Sequence, residues 1–163
     1  MHRTRKNLAI VAVALALAGA ACVPRAGSPP PATSASGCGA TALANELATL
    51  TNQARAFVGV RALSWDSQLA CLATDWSRYM ASTGTLQHRD LNATLRTAAY
   101  SGYRTLGENI LRGPTSMTAR QMYDAWMASP SHRANILSAA YTRIGIGSAT
   151  SGSTLYATQN FGG

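Results

Sequence analysis

The sequence predicts an α+β domain in which helices pack on a small antiparallel sheet. Two observations carry this. From Thr41 onward apolar residues recur at three- and four-residue steps, the period of an amphipathic helix. From Tyr141 the period changes: the stretches 141–149 and 154–161 alternate, separated by Thr150-Ser151-Gly152, and read as a β-hairpin.

The chain has 163 residues, enough for one domain with a sizeable core. Its start belongs to targeting. Arg3, Arg5 and Lys6 are followed over residues 8–21 by fourteen uncharged residues, nearly all Ala, Leu and Val. That run suits the apolar centre of a secretory signal peptide over residues 1–21, and falls short of the ~20 residues a spanning helix needs. Leu17-Ala18-Gly19-Ala20-Ala21-Cys22 resembles a lipobox, in which Cys22 would become the lipid-modified first residue of the mature chain. Gly19 stands where a larger apolar residue is usual, and Ala18 with Ala20 suits an ordinary secretory cut equally well. Residues 22–37 are rich in Pro, Ser, Ala and Gly and form a flexible linker, so the folded domain spans 38–163.

Within the domain, Leu43, Leu47, Leu50, Ala54, Phe57 and Val58 line one face of a first helix that Gly59 stops. A second helix begins after Ser64 or Asp66, either able to cap free amides. It buries Leu69, Leu72, Ala73, Trp76 and Met80 and ends at Gly84. A weaker third starts at Asp90 and carries Leu91, Leu95 and Ala98. A fourth follows Pro114-Thr115-Ser116 with Met122, Ala125 and Trp126 on its apolar face. Ser129 caps a short fifth helix, with Pro130 at the first position, where a missing amide does no harm. Residues 106–111 supply a third strand beside the hairpin.

Three cysteines in an exported chain leave one to explain. If Cys22 carries lipid, Cys38 and Cys71 remain as a pair whose bridge would tie the domain's start to its second helix. Closing such a loop is worth about 3–4 kcal/mol in the chain-entropy model. The alternative is two buried free thiols. The formal charge of +8 overstates the domain's basicity, because from Cys38 onward there are ten arginines against six acids. The arginines are scattered singly, without the clustered face of a nucleic-acid binder, so nucleic acid is not an expected partner. Trp65, Trp76 and Trp126 read as core anchors.

The order of motifs is more specific. Asn52 and Arg55, then Leu63-Ser64-Trp65-Asp66, are followed by Gly107-Glu108-Asn109-Ile110, by Trp126 with Ser129-Pro130-Ser131-His132-Arg133-Ala134-Asn135-Ile136-Leu137, and by Gly145-Ile146-Gly147 and Tyr156-Ala157-Thr158-Gln159-Asn160-Phe161-Gly162. In this order they resemble the CAP superfamily, which groups the cysteine-rich secretory proteins, antigen 5 and pathogenesis-related 1 proteins, in its bacterial SCP-like form. The resemblance covers residues 41–163. It implies a three-layer α-β-α sandwich with a cleft where two histidines and acidic residues bind a divalent metal in several members. Carried over by position, the ligands are His88, Glu108 and His132, with Zn2+ or another divalent ion as the cofactor. The acid that many eukaryotic members place after the tryptophan has no counterpart: Ser129 stands there, and Asp124 is out of register.

Two imidazoles and a carboxylate are a zinc-type donor set, and metal-bound water can be acidified to a pKa of ~7. The separations of twenty and twenty-four residues lack the local spacing that identifies a zinc helix. Each residue also has a structural alternative: a packed ring at His132, a loop-holding carboxylate at Glu108, a solvent-exposed ring at His88. A Ser129-His132-Glu108 hydrolase is disfavoured, because Ser129 before Pro130 is already explained as a cap and lacks a nucleophile elbow. The expected function is a non-catalytic, envelope-tethered or secreted extracellular module, monomeric, binding a small or lipid-like ligand, with only one carboxylate placed for acid–base work. A metal-dependent hydrolase of envelope or extracellular polymers and a structural or adhesion scaffold are the competing readings.

Overall fold

The computed structural model describes residues 38–163. The predicted signal peptide, Cys22 and the linker lie outside the described residues. Ten elements follow in order: α1 (Ala42–Phe57), β1 (Ser64–Trp65), α2 (Ser67–Thr83), α3 (Leu91–Leu95), a 3-10 turn (Ala98–Tyr100), β2 (Leu106–Pro114), α4 (Ala119–Ala128), α5 (Pro130–Leu137), β3 (Arg143–Ser151) and β4 (Thr154–Gly162).

The sheet order is β1-β3-β4-β2. β4 pairs antiparallel with both β2 and β3, as the alternation predicts. β1 pairs parallel with β3 through Ser64 and Trp65, a short strand hidden in the sequence inside the cap of the next helix. Helices cover both faces, which makes three layers. Leu155, Ala157 and Phe161 of β4 pack with Leu47, Met122, Trp126 and Ile136 of α1, α4 and α5. Tyr156, between them, packs on the other face with Trp76 and Met80 of α2. The alternation in β4 therefore separates two cores rather than a core from solvent, and every residue from Leu155 to Gly162 is buried.

Glycine sets how closely α2 approaches. A Cβ at Gly145 would overlap the backbone of Leu69 and Ala70, and one at Gly147 the backbone of Thr74, so the helix lies directly on β3. Helix ends follow local chemistry. Asp66 Oδ1 accepts from the Gln68 and Leu69 amides at 2.9 and 3.1 Å, and Gly84 ends α2 in the left-handed region at φ 68°. Cys38 and Cys71 form the disulfide, tying the domain's start to α2.

Several local expectations are corrected. Phe57 and Val58 continue the α1 period but are 92% and 50% exposed, because no element extends far enough to cover the last turn. Ala98 lies in the 3-10 turn, since α3 stops at Leu95. Ala125 faces solvent. α4 starts from Thr118, whose hydroxyl and Gln121 form a capping box. Ser129 occupies the cap position of α5 but makes no capping bond; its Oγ meets Ser131 Oγ at 3.2 Å instead. The hairpin turns at Gly152, φ 57°, with Thr150 and Ser151 still in β3.

Arg55 is fully buried near the end of α1. Its Nε donates to Arg61 O at 2.8 Å, Nη1 to Ile136 O and Ser138 O at 2.8 and 2.9 Å, and Nη2 to Tyr141 O at 3.1 Å. Burial lowers its pKa, yet four carbonyl dipoles, two of them from the end of α5, compensate the charge. Arg55→Ala would orphan these carbonyls, each costing about 1–3 kcal/mol when left unsatisfied. The expected loss is about 3 kcal/mol or more in chemical denaturation, with Arg55→Lys recovering only part because an ammonium lacks the planar fork.

Candidate functional site

The three residues singled out in the sequence form a chain rather than a cluster: Glu108 bonds His88, and the His88 ring lies near that of His132. Glu108 is presented by β2, its side chain 1% exposed. His88 comes from the loop after α2, and that loop is pinned twice: Trp76 Nε1 donates to Gln87 O at 2.8 Å, and the Arg89 guanidinium lies 4.7 Å above the Trp76 ring. Glu108 Oε1 accepts from Arg89 N at 3.0 Å and from His88 Nδ1 at 2.8 Å. A carboxylate only accepts, so the proton of a neutral His88 sits on Nδ1 and Nε2 is left with its lone pair outward.

His132 is set by a polar network that sequence reasoning missed. Asn109 Nδ2 donates to His132 O at 3.1 Å and to Gln159 Oε1 at 3.0 Å. Asn135 Nδ2 donates to Glu108 O and Asn109 Oδ1 at 3.1 and 3.0 Å. Gln159 Nε2 continues to Thr51 Oγ1 at 2.9 Å. The available signal was a pair of amides, Gln159-Asn160, inside an otherwise apolar strand: buried amides require partners. Successive β2 residues thus serve opposite faces, Glu108 toward His88 and Asn109 toward α5.

The His88 and His132 rings lie 6.3 Å apart, tilted by 57°. Their proton affinities diverge. The hydrogen bond donated to Glu108 raises the His88 pKa against opposing burial, whereas burial, and then the charge on His88, lowers that of His132. Such divergence is the arrangement that separates an acid from a base. Among the described residues no three His, Cys, Asp or Glu side chains form a group able to hold a metal ion. The two imidazoles are zinc-type donors by chemistry, and Glu108 stands behind His88 in the place of a tautomer-fixing partner. Asp124 points to solvent and pairs with Arg120 at 3.0 Å, and Ser129 is engaged with Ser131 rather than with His132. Trp126, 1% exposed, bonds Ile110 O through Nε1 at 3.1 Å and anchors the core as expected.

A model of the Cysteine-rich secretory protein family matches residues 48–161. The chain belongs to that family. It is 32% identical over 117 residues to the uncharacterized protein YkwD of Bacillus subtilis, covering 69% of this chain and 45% of the relative, so it spans less than half the length of that protein. Among solved structures it is similar to an outer surface protein of Borrelia burgdorferi (17% identical, TM-score 0.66, covering 76% of this chain and 94% of that one). It is also similar to an extracellular SCP-domain protein of Bacillus anthracis (28% identical, TM-score 0.60, covering 72% and 39%). The fold is the CAP fold, and the domain is of the extracellular type.

A second feature lies at the opposite edge of the sheet. β1 covers β3 only at Arg143 and Ile144. Beyond it, α1, α2 and β3 enclose a groove of about 430 Å³ lined by Leu43, Leu47, Ile146 and Ala157, with Thr74 and Arg78 among its polar residues.

The opposed histidines give opposed pH dependences. The raised His88 pKa favours the fold below the ordinary value of 6.5, and that contribution is lost as pH rises through the raised midpoint. The lowered His132 pKa favours the fold above 6.5, and that contribution is lost as pH falls through the depressed midpoint. NMR titration of the ring protons is expected to place His88 above and His132 below 6.5, with Glu108→Gln bringing His88 down. Coincident midpoints would contradict the pairing.

Proposed function

We propose that this is an exported CAP-domain protein, tethered to the membrane by lipid on Cys22, that acts as a non-catalytic extracellular binding module for a small or lipid-like ligand. The observation that carries the reading is the groove between α1, α2 and β3. In its mixed lining, Leu43 and the other aliphatic residues would take a short apolar chain, and Arg78, its side chain 65% exposed and paired with Asp75 at 3.6 Å, stands where an acidic head group would lie. Its position on the far side of the sheet from the histidines favours binding without turnover. The monomer is the working unit.

A divalent metal is the cofactor this reading admits, held by His88 and His132. Bound there it would supply Lewis-acid chemistry. The Glu108-oriented His88 ring beside His132 favours a second reading, a metal-dependent hydrolase of extracellular polymers, in which both rings would be neutral donors to the metal.

The experiment is a paired binding assay on residues 38–163, which contain every described element and both bridge cysteines. A fluorescent fatty acid is expected to bind saturably, and Leu43→Arg to weaken it tenfold or more while zinc binding is unchanged. His88→Ala/His132→Ala should do the reverse, abolishing zinc binding and sparing the fatty acid. No saturable fatty-acid binding would end the groove reading, and zinc-dependent turnover lost in the double variant would replace it with the hydrolase.

A further inference from the structure

The end of α1 presents an exposed apolar tip. Phe57 is 92% exposed and Val58 50%, adjacent in sequence and followed by half-buried Val60. Gly59, at φ 72°, turns the chain so that this tip projects. It is not a loose end. Val60 N bonds Arg55 O at 2.8 Å, and Arg55 Nε holds Arg61 O at 2.8 Å, so the same buried guanidinium that ties α1 to α5 also fixes the projecting loop.

Backbone pairing brings three arginines to this end. Arg61 precedes β1, whose Ser64 pairs with Arg143. Arg143 in turn pairs with Gly162, and the next residue, Gly163, accepts from Arg104 N. Arg61 and Arg104 are exposed, whereas the half-exposed Arg143 side chain lies 5.3 Å over the Tyr103 ring. The one acid here, Asp66, is only 14% exposed; it caps α2, accepts from Tyr103 and pairs with Arg143. Among the described residues the exposed acids are Glu46, Asp90 and Asp124. Glu46 lies eleven residues up α1, about 16 Å away at ~1.5 Å per residue. The other two cap α3 and sit on α4.

We propose that this tip is a membrane-contact face of the domain itself, in which Phe57 and Val58 enter the interface of an anionic phospholipid bilayer while Arg61 and Arg104 pair with lipid phosphates. The chemistry selects the partner. An exposed aromatic wedge without charges at its centre matches the acyl–headgroup boundary, and exposed arginines match anionic headgroups. A second copy of the chain would bring like-charged arginines face to face. The contact is independent of any lipid on Cys22 and would orient a tethered domain on the surface it is anchored to.

The test is flotation of residues 38–163, which lack Cys22 and the apolar N-terminal run, with vesicles of neutral phosphatidylcholine or of phosphatidylcholine with phosphatidylglycerol. Binding is expected to the anionic vesicles and to weaken with salt. Phe57→Ser should weaken it about tenfold or more, from the lost burial of one aromatic ring. Arg61→Gln and Arg104→Gln should each weaken it roughly fivefold. Phe57 is solvent-exposed, so its variants keep the circular dichroism of the parent. In Phe57→Trp, tryptophan emission is expected to shift to the blue on anionic vesicles only. Absence of binding, equal binding to neutral vesicles, an unshifted Phe57→Trp emission, or a Phe57-dependent dimer without vesicle binding would each overturn the proposal.

Discussion

Arg55 is the point on which the arrangement of this domain turns. A guanidinium cannot shed its charge, so burying one obliges the structure to bring oxygen atoms to it from every side. Here they arrive from the loop after α1, from the end of α5 and from the segment leading into β3. The α1 end and the α5–β3 segment are about eighty residues apart in sequence. The cation holds them in one place, and in doing so sets α5 against α1. Since His132 rides on α5, a residue with no part in the candidate chemistry governs where that chemistry sits.

The site itself is a product of β2 being an edge strand with opposed faces. Glu108 turns toward the loop from α2 and orients His88; Asn109 turns toward α5 and holds the backbone of His132. Two histidines from opposite layers meet because one strand reaches into both. The cost is a row of buried polar side chains, each requiring a partner, and most find one in the Asn135, Asn109, Gln159 and Thr51 network. Glu108 Oε2 and both polar atoms of the Asn160 side chain have none among the described residues. The groove at the other edge arises from the opposite circumstance. There the covering strand is only two residues long, and β3 runs on past it.

Much of the fold was legible because local chemistry and tertiary packing agree. The apolar face of α2 and its glycine stop can each be read from residues a few positions apart and hold, and of the two caps the sequence offers, Ser64 and Asp66, the structure uses Asp66. The hairpin was legible for the same reason. Phe57, Val58 and Ala125 show the limit: they satisfy a helical period, but period reports which residues share a face and says nothing of whether anything covers that face. Ser129 shows another. A serine before proline is a sound cap in general, yet a neighbouring hydroxyl at Ser131 competed successfully for its oxygen.

The sequence by itself determined the family, the α+β class, most of the helix boundaries and the identity of His88, Glu108 and His132 as residues to watch, because motif order, periodicity and capping are short-range properties written along the chain. The tertiary structure alone decided what those residues are to one another. It joined Glu108 to His88 by a hydrogen bond, gave the two rings opposite shifts, buried Arg55 among carbonyls, and opened a groove at one edge of the sheet and an apolar tip at its end. Distances across the sheet depend on how strands pair and which layer each helix joins, and no spacing along the chain encodes them.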